Sequence, residues 1–443
     1  MRDILLVLVF PFLLYFIIKR PYIGVSLWIW SAMFFPNGWV WGFASSFRYN
    51  LLIALATIIS YVFQKNKIKT EGSALTTLIL FFFMWTTISS TFTISNPDFV
   101  WFEWGIFLKI TIFYILCILT IKTKHHINIF IWAITLSAAY FGAAEGLKYI
   151  VTLGGHTVAG IPGSRLSDRN ELALAVNMTL PLIVFLLSQT KYKWLKIALI
   201  GAVIFNVVAI VGSFSRGGLL GLIVIGGYFF LQSKRKVLVS IVLILSVAVG
   251  SSFVSDKWTN RMDTINTMEQ DNSFLGRVVA WKQAVLMAAD HPIFGGGFKA
   301  GQNPSVWYLY EADFHRLNFI IDTGDYKVDR PKAAHSIYFQ VLGDQGFAGL
   351  FIFLTILLIT YRKLSWATKN TDDEWVIGLA RMLKVSLVAY LAGGAALSLP
   401  YFDLSFAIFA LTHILCEVIK RSKNNKEQIG TNLTGYKVQG RAR

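Results

Sequence analysis

Two long apolar runs flank the stretch Val211-Gly-Ser-Phe-Ser-Arg-Gly-Gly-Leu-Leu-Gly221. One run covers about residues 195–211 and the other about 219–231, and Arg216 carries the only charge between them. Basic clusters stand beyond the other ends of the two runs, at Lys191, Lys193 and Lys196 and at Lys234, Arg235 and Lys236. Because basic residues favour the cytoplasmic side of a membrane, two membrane-spanning helices here would place Arg216 on the opposite, outer face. The small residues around Arg216 leave its guanidinium room to meet an anion.

The composition indicates a membrane protein. The chain has 443 residues, of which 55% are hydrophobic and only 15% charged, with a mean hydropathy of +0.57. A soluble protein of this length would carry about 25% charged residues. Apolar runs of about 17–25 residues recur from end to end, each long enough to cross a bilayer core of about 30 Å. The sequence therefore predicts an all-α polytopic membrane protein, and it lacks the short alternating segments of a membrane β-barrel.

The apolar runs predict about 12 transmembrane helices. Spans are placed at about 4–18, 22–36, 49–63, 74–92, 104–121, 127–150, 171–189, 195–212, 217–231, 237–254, 336–361, 376–398 and 401–419. The first two are short and are separated by Lys19-Arg20-Pro21, so the total is 12 or 13 and the side of the N-terminus stays open. The segment before this tripeptide has no small-residue cleavage site, so no cleavable signal peptide is predicted.

Basic residues recur in every second connection, as the positive-inside rule predicts. The clusters lie at 19–20, 65–69, 122–124, 191–196, 234–236, 362–363 and 420–426. Most of the net charge of +17 sits in these clusters. We therefore attribute the charge to orientation in the membrane and predict no nucleic-acid partner. Cys117 and Cys416 both lie inside apolar runs, which is typical of packing residues and not of a disulfide framework.

Four parts follow from this reading: N-terminal transmembrane helices at 1–254, a large periplasmic loop at 255–335, C-terminal transmembrane helices at 336–419 and a flexible cytoplasmic tail at 420–443. The loop holds ten acidic and nine basic residues, a balance expected of a translocated segment. Its apolar periodicity predicts a short amphipathic helix at 276–290 on the membrane surface. The glycines at 295–297 predict a loop that needs φ angles open mainly to glycine.

Arginines occur in three outer connections. Arg216 lies in one, Arg165 and Arg169 lie in the connection 151–170, and Arg277 lies in the large loop. Arginine suits a bidentate grip on phosphate, and apolar helices beneath such a cluster suit a lipid-linked phosphate or pyrophosphate. The alternative is that these arginines pair with neighbouring acids or with lipid headgroups. The isolated position of Arg216 in a tight turn of small residues favours a functional role for it.

His335 stands at the outer mouth of the span predicted at 336–361. An imidazole can take a proton from a hydroxyl near neutral pH, so His335 is a candidate base. A single histidine at the start of a helix is often structural, and this alternative stays open. The other outer histidines, His156, His291 and His315, lack metal-ligand spacing, so neither a metal nor a cofactor is predicted.

Several motifs, taken in order, resemble the core of the O-antigen ligase superfamily, which includes O-antigen polymerases and protein O-oligosaccharyltransferases. They are Ser213-Phe-Ser-Arg-Gly-Gly-Leu-Leu220, Arg277 ahead of Trp281, Asp290-His-Pro-Ile-Phe-Gly-Gly-Gly-Phe298 and Ala334-His-Ser-Ile-Tyr-Phe-Gln-Val-Leu-Gly-Asp-Gln-Gly-Phe-Ala-Gly-Leu350. Met1-Arg-Asp3, Arg20-Pro-Tyr-Ile-Gly24 and Ser164-Arg-Leu-Ser-Asp-Arg-Asn-Glu-Leu-Ala-Leu174 resemble the branch of exosortase-associated O-glycosylation ligases. The chain departs from the family at Ser336, where asparagine is common.

The resemblance implies a metal-independent glycosyltransferase of the C type, working at the periplasmic face of the bacterial inner membrane. The donor would be an undecaprenyl-pyrophosphate-linked glycan. Arg216 and Arg165 would hold the pyrophosphate, with Arg277 assisting and Arg169 beside them as a further candidate. His335 would orient or deprotonate the acceptor hydroxyl for attack with inversion.

The acceptor stays open at this point. A lipid A–core sugar would make the protein an O-antigen ligase, a protein acceptor an oligosaccharyltransferase, and another lipid-linked glycan a polymerase. The chain ends soon after its last predicted span, which mildly favours the lipid acceptor, whereas the family branch favours a protein. A transporter is a further alternative, but the charged residues inside the predicted spans (Lys109, Glu145 and Lys148) all lie toward the outer ends, and no internal repeat is evident.

Overall fold

The computed structural model describes residues 1–233, 236, 272–324 and 330–439, with the backbone alone for 272, 273 and 425–439. These residues form α-helices and short 3₁₀ helices joined by turns, and no strand occurs among them. The predicted span at 237–254, the basic residues Lys234 and Arg235 and the first part of the predicted large loop lie outside the described residues.

The described part of the chain contains fifteen α-helices, numbered here in chain order. They are α1 Arg2–Lys19, α2 Pro21–Phe34, α3 Pro36–Trp39, α4 Tyr49–Phe63, α5 Ala74–Thr91, α6 Pro97–Thr120, α7 Lys124–Val151, α8 Arg169–Gln189, α9 Lys193–Gly212, α10 Arg216–Gln232, α11 Asn272–Asp290, α12 Pro304–Glu311, α13 Ile337–Ala367, α14 Glu374–Gly394 and α15 Asp403–Gln439. Short 3₁₀ helices lie at Phe43–Ser46, Ala300–Gln302 and Phe314–Leu317.

Seven described helices are long and apolar enough to cross a membrane: α5, α6, α7, α8, α9, α13 and α14. The helices α2, α4 and α10 are apolar but shorter. The chain is therefore an all-helical, multi-pass membrane protein, as the composition predicts. The predicted spans at 171–189 and 376–398 correspond to α8 and α14 and differ from them by only a few residues at each end.

Side-chain caps explain where several helices begin. The Asn96 side chain accepts hydrogen bonds from the backbone N–H groups of Asp98 and Phe99, at 2.9 and 3.4 Å, and proline occupies the first helical position. This cap starts α6 at residue 97, so the predicted start at 104 is too late. Asp98 and Glu103 place two carboxylates in the first two turns, so the span predicted from hydropathy began after them. A cap of this kind stabilises a helix by about 1 kcal/mol.

The C-terminal helix differs most from the sequence prediction. The predicted span ends at 419 and a flexible tail was expected beyond it, but α15 continues as one helix to Gln439. No proline interrupts residues 403–439, and lysine, arginine, glutamine and glutamate, which are good helix formers, are frequent between 417 and 428, whereas Gly430 and Gly435 are unfavourable. The apolar first half of α15 supplies the packed nucleus from which such a helix extends.

The helix α8 lies at the centre of the bundle. Of its membrane-spanning window, 78% is buried, the largest share among the seven spans. It packs against α7, α9, α10 and α14. Its cap residue, Asp168, accepts a hydrogen bond of 2.7 Å from the N–H of Asn170, so the start of this central helix is firmly placed.

The glycine loop at residues 294–298 is bound to α13 at a bend. The bend lies at Gly346, whose φ of +69° and ψ of −173° are not helical. Near this bend, the N–H of Gly296 donates to a carbonyl of α13 at 2.8 Å, and the N–H of Phe347 donates to the carbonyl of Pro292 at 2.9 Å. The sequence predicted the glycine loop but not the bend, since the run at 336–361 reads as one uninterrupted span.

Part of the large loop forms a small hydrophobic core of its own. Trp307 of α12 is fully buried, and it lies with Val279 and Met287 of α11 and with Tyr310 and Phe314 in one cluster. The amphipathic helix predicted at 276–290 is present as α11 and begins four residues earlier. It packs against both α13 and α12.

Basic residues that follow α4, α6 and the apolar part of α15 contact one another's segments at one end of the bundle, which is here called the basic end. A guanidinium N–H of Arg421 donates to the carbonyl of Lys69 at 2.6 Å, and Lys122 Nζ lies 3.3 Å from Glu417 Oε2. Lys124, also at this end, pairs with Asp373, the cap of α14. The helix α14 therefore starts at the basic end and finishes at the opposite end, here called the site end.

Candidate functional site

The C-terminal end of α14 is the point where three other helices begin. A Cβ atom added at Gly393 would lie 2.7 Å from Leu174 Cδ1 of α8 and 3.3 Å from the carbonyl oxygen of Gly217 in α10. A Cβ atom added at Gly394 would lie 2.8 Å from Ile337 Cδ1, at the start of α13. These glycines therefore let α8, α10 and α13 approach α14 closely. The N-termini of three helices, each with partial positive charge, lie around one point of the site end.

A strained turn holds Arg216 at this point. Phe214 has a φ of +52°, which is costly for a residue other than glycine. The next residue, Ser215, caps α10 by accepting a hydrogen bond of 3.0 Å from the N–H of Gly218. Arg216 is then the first residue of α10, and its side chain is half-buried. The sequence-predicted tight turn between two apolar helices is confirmed.

His335 lies directly before α13, in a segment fixed by α11. Its φ is +44°, a second strained residue at the candidate site. Trp281 of α11 donates its indole N–H to the carbonyl of Ala334 at 2.6 Å. The ring of Trp281 also stacks on Phe339, with centroids 5.0 Å apart and planes 12° from parallel. Because Arg277 precedes Trp281 by one turn of α11, this contact also places Arg277 near His335.

Burial and nearby charges set the proton affinity of His335. Burial lowers its pKa below the ordinary value, and the positive charges of Arg277 and Lys332 lower the pKa further, while the carboxylate of Asp168 acts in the opposite sense. These neighbours come from α11, from the segment before α13 and from the start of α8. The balance favours a neutral imidazole at neutral pH, the form that can accept a proton.

The predicted arginines of the connection 151–170 differ in their surroundings. Arg165 is half-buried and interacts electrostatically with two carboxyls, those of Glu171 and Asp403. These charges act over a distance, because Arg165 forms no ion pair within 4.0 Å with another described residue, so pairing with acids stays an open alternative for it. Arg169 is the first residue of α8 and forms no hydrogen bond or ion pair with another described residue. The negative charge of Asp168 interacts electrostatically with both the carboxyl of Glu171 and the imidazole of His335. Arg165, which interacts with Glu171, is therefore in the same region as the histidine.

A lysine of the large loop ties the glycine loop to the bundle. The backbone N–H of Lys299 donates to Asp344 Oδ1 of α13 at 2.9 Å, and Lys299 Nζ lies 2.9 Å from Glu103 Oε1 of α6. Beside it lies a cavity of about 30 Å³ whose lining includes Asp344, Gln340 and Lys332. This volume has room for about one water molecule. Among the residues that the structure describes, no group of three histidine, cysteine, aspartate or glutamate side chains could hold a metal ion.

Sequence reasoning missed several residues of the site end. Asp168 was readable as a helix cap, but its proximity to His335 was not, since the two are far apart in the chain. Lys332 carried no signal beyond its position near His335. The indole of Trp281 contacts a carbonyl 53 positions away, and no periodicity in the sequence indicates that pair.

The site end combines fixed positive charge with a proton acceptor. The guanidinium of Arg216 and three helix N-termini suit a phosphate-bearing ligand, and the apolar helices below suit its lipid tail. A neutral His335 beside them can receive a proton from a hydroxyl. The arrangement therefore suits transfer of a group from a lipid-linked phosphate to a hydroxyl.

Two family models match parts of the chain. A family model described as O-Antigen ligase matches residues 201–354, the range that holds Arg216, Arg277 and His335. A second model, of a family of unknown function, matches residues 1–193, which hold Arg165 and Arg169. No curated protein matches the chain. Residues 201–354 therefore form a domain of the O-antigen ligase family.

Proposed function

We propose that this protein transfers a glycan from undecaprenyl pyrophosphate to a sugar hydroxyl of lipid A–core, without a metal ion and with inversion. The reaction would take place at the periplasmic face of the bacterial inner membrane, in a glycosyltransferase fold of the C type with 12 or 13 spans. The observation that carries the proposal is the meeting of α8, α10 and α13 around the end of α14. It brings the segments that bear Arg216 and His335, more than a hundred positions apart, to one end of the bundle.

The donor would bind through its pyrophosphate. Arg216, at the N-terminus of α10, donates to the phosphate oxygens, and the N–H groups of the first helical turns add fixed positive charge. Arg277 reaches the same region from α11, and Arg165 and Arg169 flank it from the start of α8. The polyprenyl tail lies along the apolar helices within the bilayer.

The acceptor would bind on the side of His335. In the proposed step, the neutral imidazole removes the proton of the acceptor hydroxyl as its oxygen attacks the anomeric carbon. The new carbon–oxygen bond forms as the bond from the anomeric carbon to the pyrophosphate oxygen breaks, and undecaprenyl pyrophosphate leaves. Pyrophosphate is a good leaving group, so positioning and fixed positive charge can supply the catalysis.

Transfer and transport are separated by one reconstitution. Purified protein in detergent is mixed with an undecaprenyl-pyrophosphate-linked glycan, a lipid A–core acceptor and excess EDTA. The proposal predicts a glycosylated acceptor at the same rate with and without EDTA. A protein that only moves the donor across a membrane would give no product, and a loss of rate in EDTA that a divalent ion restores would contradict the metal-free step.

The acceptor is tested by deleting the gene in its native bacterium and inspecting lipopolysaccharide and glycoproteins separately. The proposal predicts loss of polymeric glycan from lipopolysaccharide with glycoproteins unchanged. Loss from glycoproteins alone would make the protein an oligosaccharyltransferase, and shortened lipid-linked chains would make it a polymerase.

A further inference from the structure

A groove separates α13 from α15 at the basic end, far from the site end. It has a volume of about 290 Å³ and is lined by Ile359, Arg362, Lys363, Trp366, Cys416 and Lys420. The four residues of α13 are spaced at three- and four-residue intervals, so they share one helix face. The floor is closed where Cys416 Sγ lies 3.8 Å from the carbonyl oxygen of Lys363.

Three cations surround this groove without matching carboxylates. Within the described part of the chain, Arg362 and Lys363 form no ion pair. Lys420 Nζ lies 3.5 Å from Glu71 Oε2, but the two side chains are 50% and 41% exposed, so the pair binds weakly. Three cations and one carboxylate leave two positive charges in excess at the rim. The nearby carboxylate of Glu417 is already engaged by Lys122 and Arg421 and is not available to the groove.

The groove lies at the depth of lipid headgroups. Beyond the bend at Gly346, α13 continues for 21 residues, from 347 to 367, and this part is about 32 Å long, enough to cross a bilayer core of about 30 Å. Because it begins at the site end, its last turns reach the headgroup region of the opposite leaflet. Trp366, a residue type enriched at that level, stands there with Lys423 Nζ 5.9 Å from its ring centroid.

We propose that this groove binds one anionic phospholipid, such as phosphatidylglycerol, from the leaflet at the basic end. The headgroup phosphate is held by Arg362, Lys363 and Lys420, and an acyl chain passes over Ile359. Basic pockets between transmembrane helices on the cytoplasmic side recognise anionic headgroups in this way. The site does not depend on glycan transfer, since none of its residues belongs to the site end.

The test is native mass spectrometry of the full-length protein, titrated with phosphatidylglycerol or with phosphatidylcholine carrying the same acyl chains. Wild-type protein is expected to keep one phosphatidylglycerol and to prefer it over phosphatidylcholine. Each basic residue contributes roughly fivefold in affinity near an anionic headgroup, so Arg362→Gln with Lys363→Gln should weaken phosphatidylglycerol binding about 25-fold. Glycerol phosphate, which has no acyl chains, should not displace the lipid at equal concentration.

Two controls keep the test decisive. Lys191→Gln with Lys193→Gln removes two exposed cations that do not line this groove and should leave binding unchanged. The charge-preserving exchange Arg362→Lys with Lys363→Arg should retain binding. Equal binding of the two lipids by wild-type protein, equal losses in the groove and control variants, or displacement by glycerol phosphate would each overturn the proposal. The comparison of the two lipids needs no variant and holds even if a variant fails to fold.

Discussion

The close approach of α10 to α8 gives a sharp test of how Arg216 is positioned. A Cβ atom added at Gly218 would lie 2.7 Å from the Cβ of Ala173, and 3.2 Å from the Cβ of Ser215 in its own turn. Carbon atoms prefer separations of about 3.5–4.0 Å, so Gly218→Ala should move the start of α10 away from α8 by about 1 Å. Such overpacking costs about 1–3 kcal/mol, and a displacement of about 1 Å can lower a reaction rate by roughly 100-fold.

The assay compares glycan transfer and thermal unfolding in matched variants. A Cβ atom added at Gly226, on the same helix, meets nothing within 4 Å among the described residues, so Gly226→Ala should keep full activity. Adding Ala173→Gly to Gly218→Ala removes the clashing carbon and should restore part of the lost rate, since the tight contact with Ser215 remains. If Gly218→Ala were as active as Gly226→Ala, the positioning of Arg216 by this contact would be refuted.

Three further predictions follow from the surroundings of the site. Asp168→Asn keeps the cap of α8 but removes the charge that raises the pKa of His335, so the acid limb of the kcat/KM profile against pH should move to lower pH. A shift to higher pH would contradict the role of His335 as a base. Trp281→Phe keeps the stacked ring but loses the hydrogen bond to Ala334, so thermal unfolding should show a loss of about 1 kcal/mol in the free energy of unfolding, together with slower transfer. Unchanged transfer would argue against the positioning of His335 by α11. Gly346→Ala would place a Cβ atom 2.7 Å from two carbonyl oxygens at a φ of +69°, so it should destabilise the fold by about 3 kcal/mol, whereas Gly105→Ala, with open space around it, should not.

The sequence predicted the helices well, because membrane spans are encoded locally. The spans at 49–63 and 195–212 match α4 and α9 closely, since each is one apolar run. The predicted helix boundaries were wrong where a cap or a hydrogen bond, and not hydropathy, determines the local structure. The start of α6 depends on a cap at Asn96, and the bend at Gly346 depends on hydrogen bonds with the glycine loop.

The sequence alone proposes the candidate site residues, but it does not predict which segments meet at the site end. The alternation of basic clusters predicts Arg216 in an outer turn and His335 at the outer mouth of a span. Their approach to one point depends on Gly393 and Gly394, which read as ordinary small residues within an apolar run. The electrostatic interaction of Arg165 with Asp403 was likewise unpredictable, because Asp403 lies on a helix that begins more than two hundred positions later in the chain.

The most direct test of the account measures donor binding and glycan transfer on the same three proteins: wild type, Arg216→Ala and His335→Ala. Binding of the undecaprenyl-pyrophosphate-linked glycan and its transfer to lipid A–core are determined for each, with membrane insertion confirmed first. Loss of a charged hydrogen-bond partner predicts at least about tenfold weaker donor binding for Arg216→Ala. His335→Ala should bind the donor like wild type but form no product. Full transfer by either variant, or loss of donor binding in His335→Ala alone, would contradict the division of roles between these two side chains.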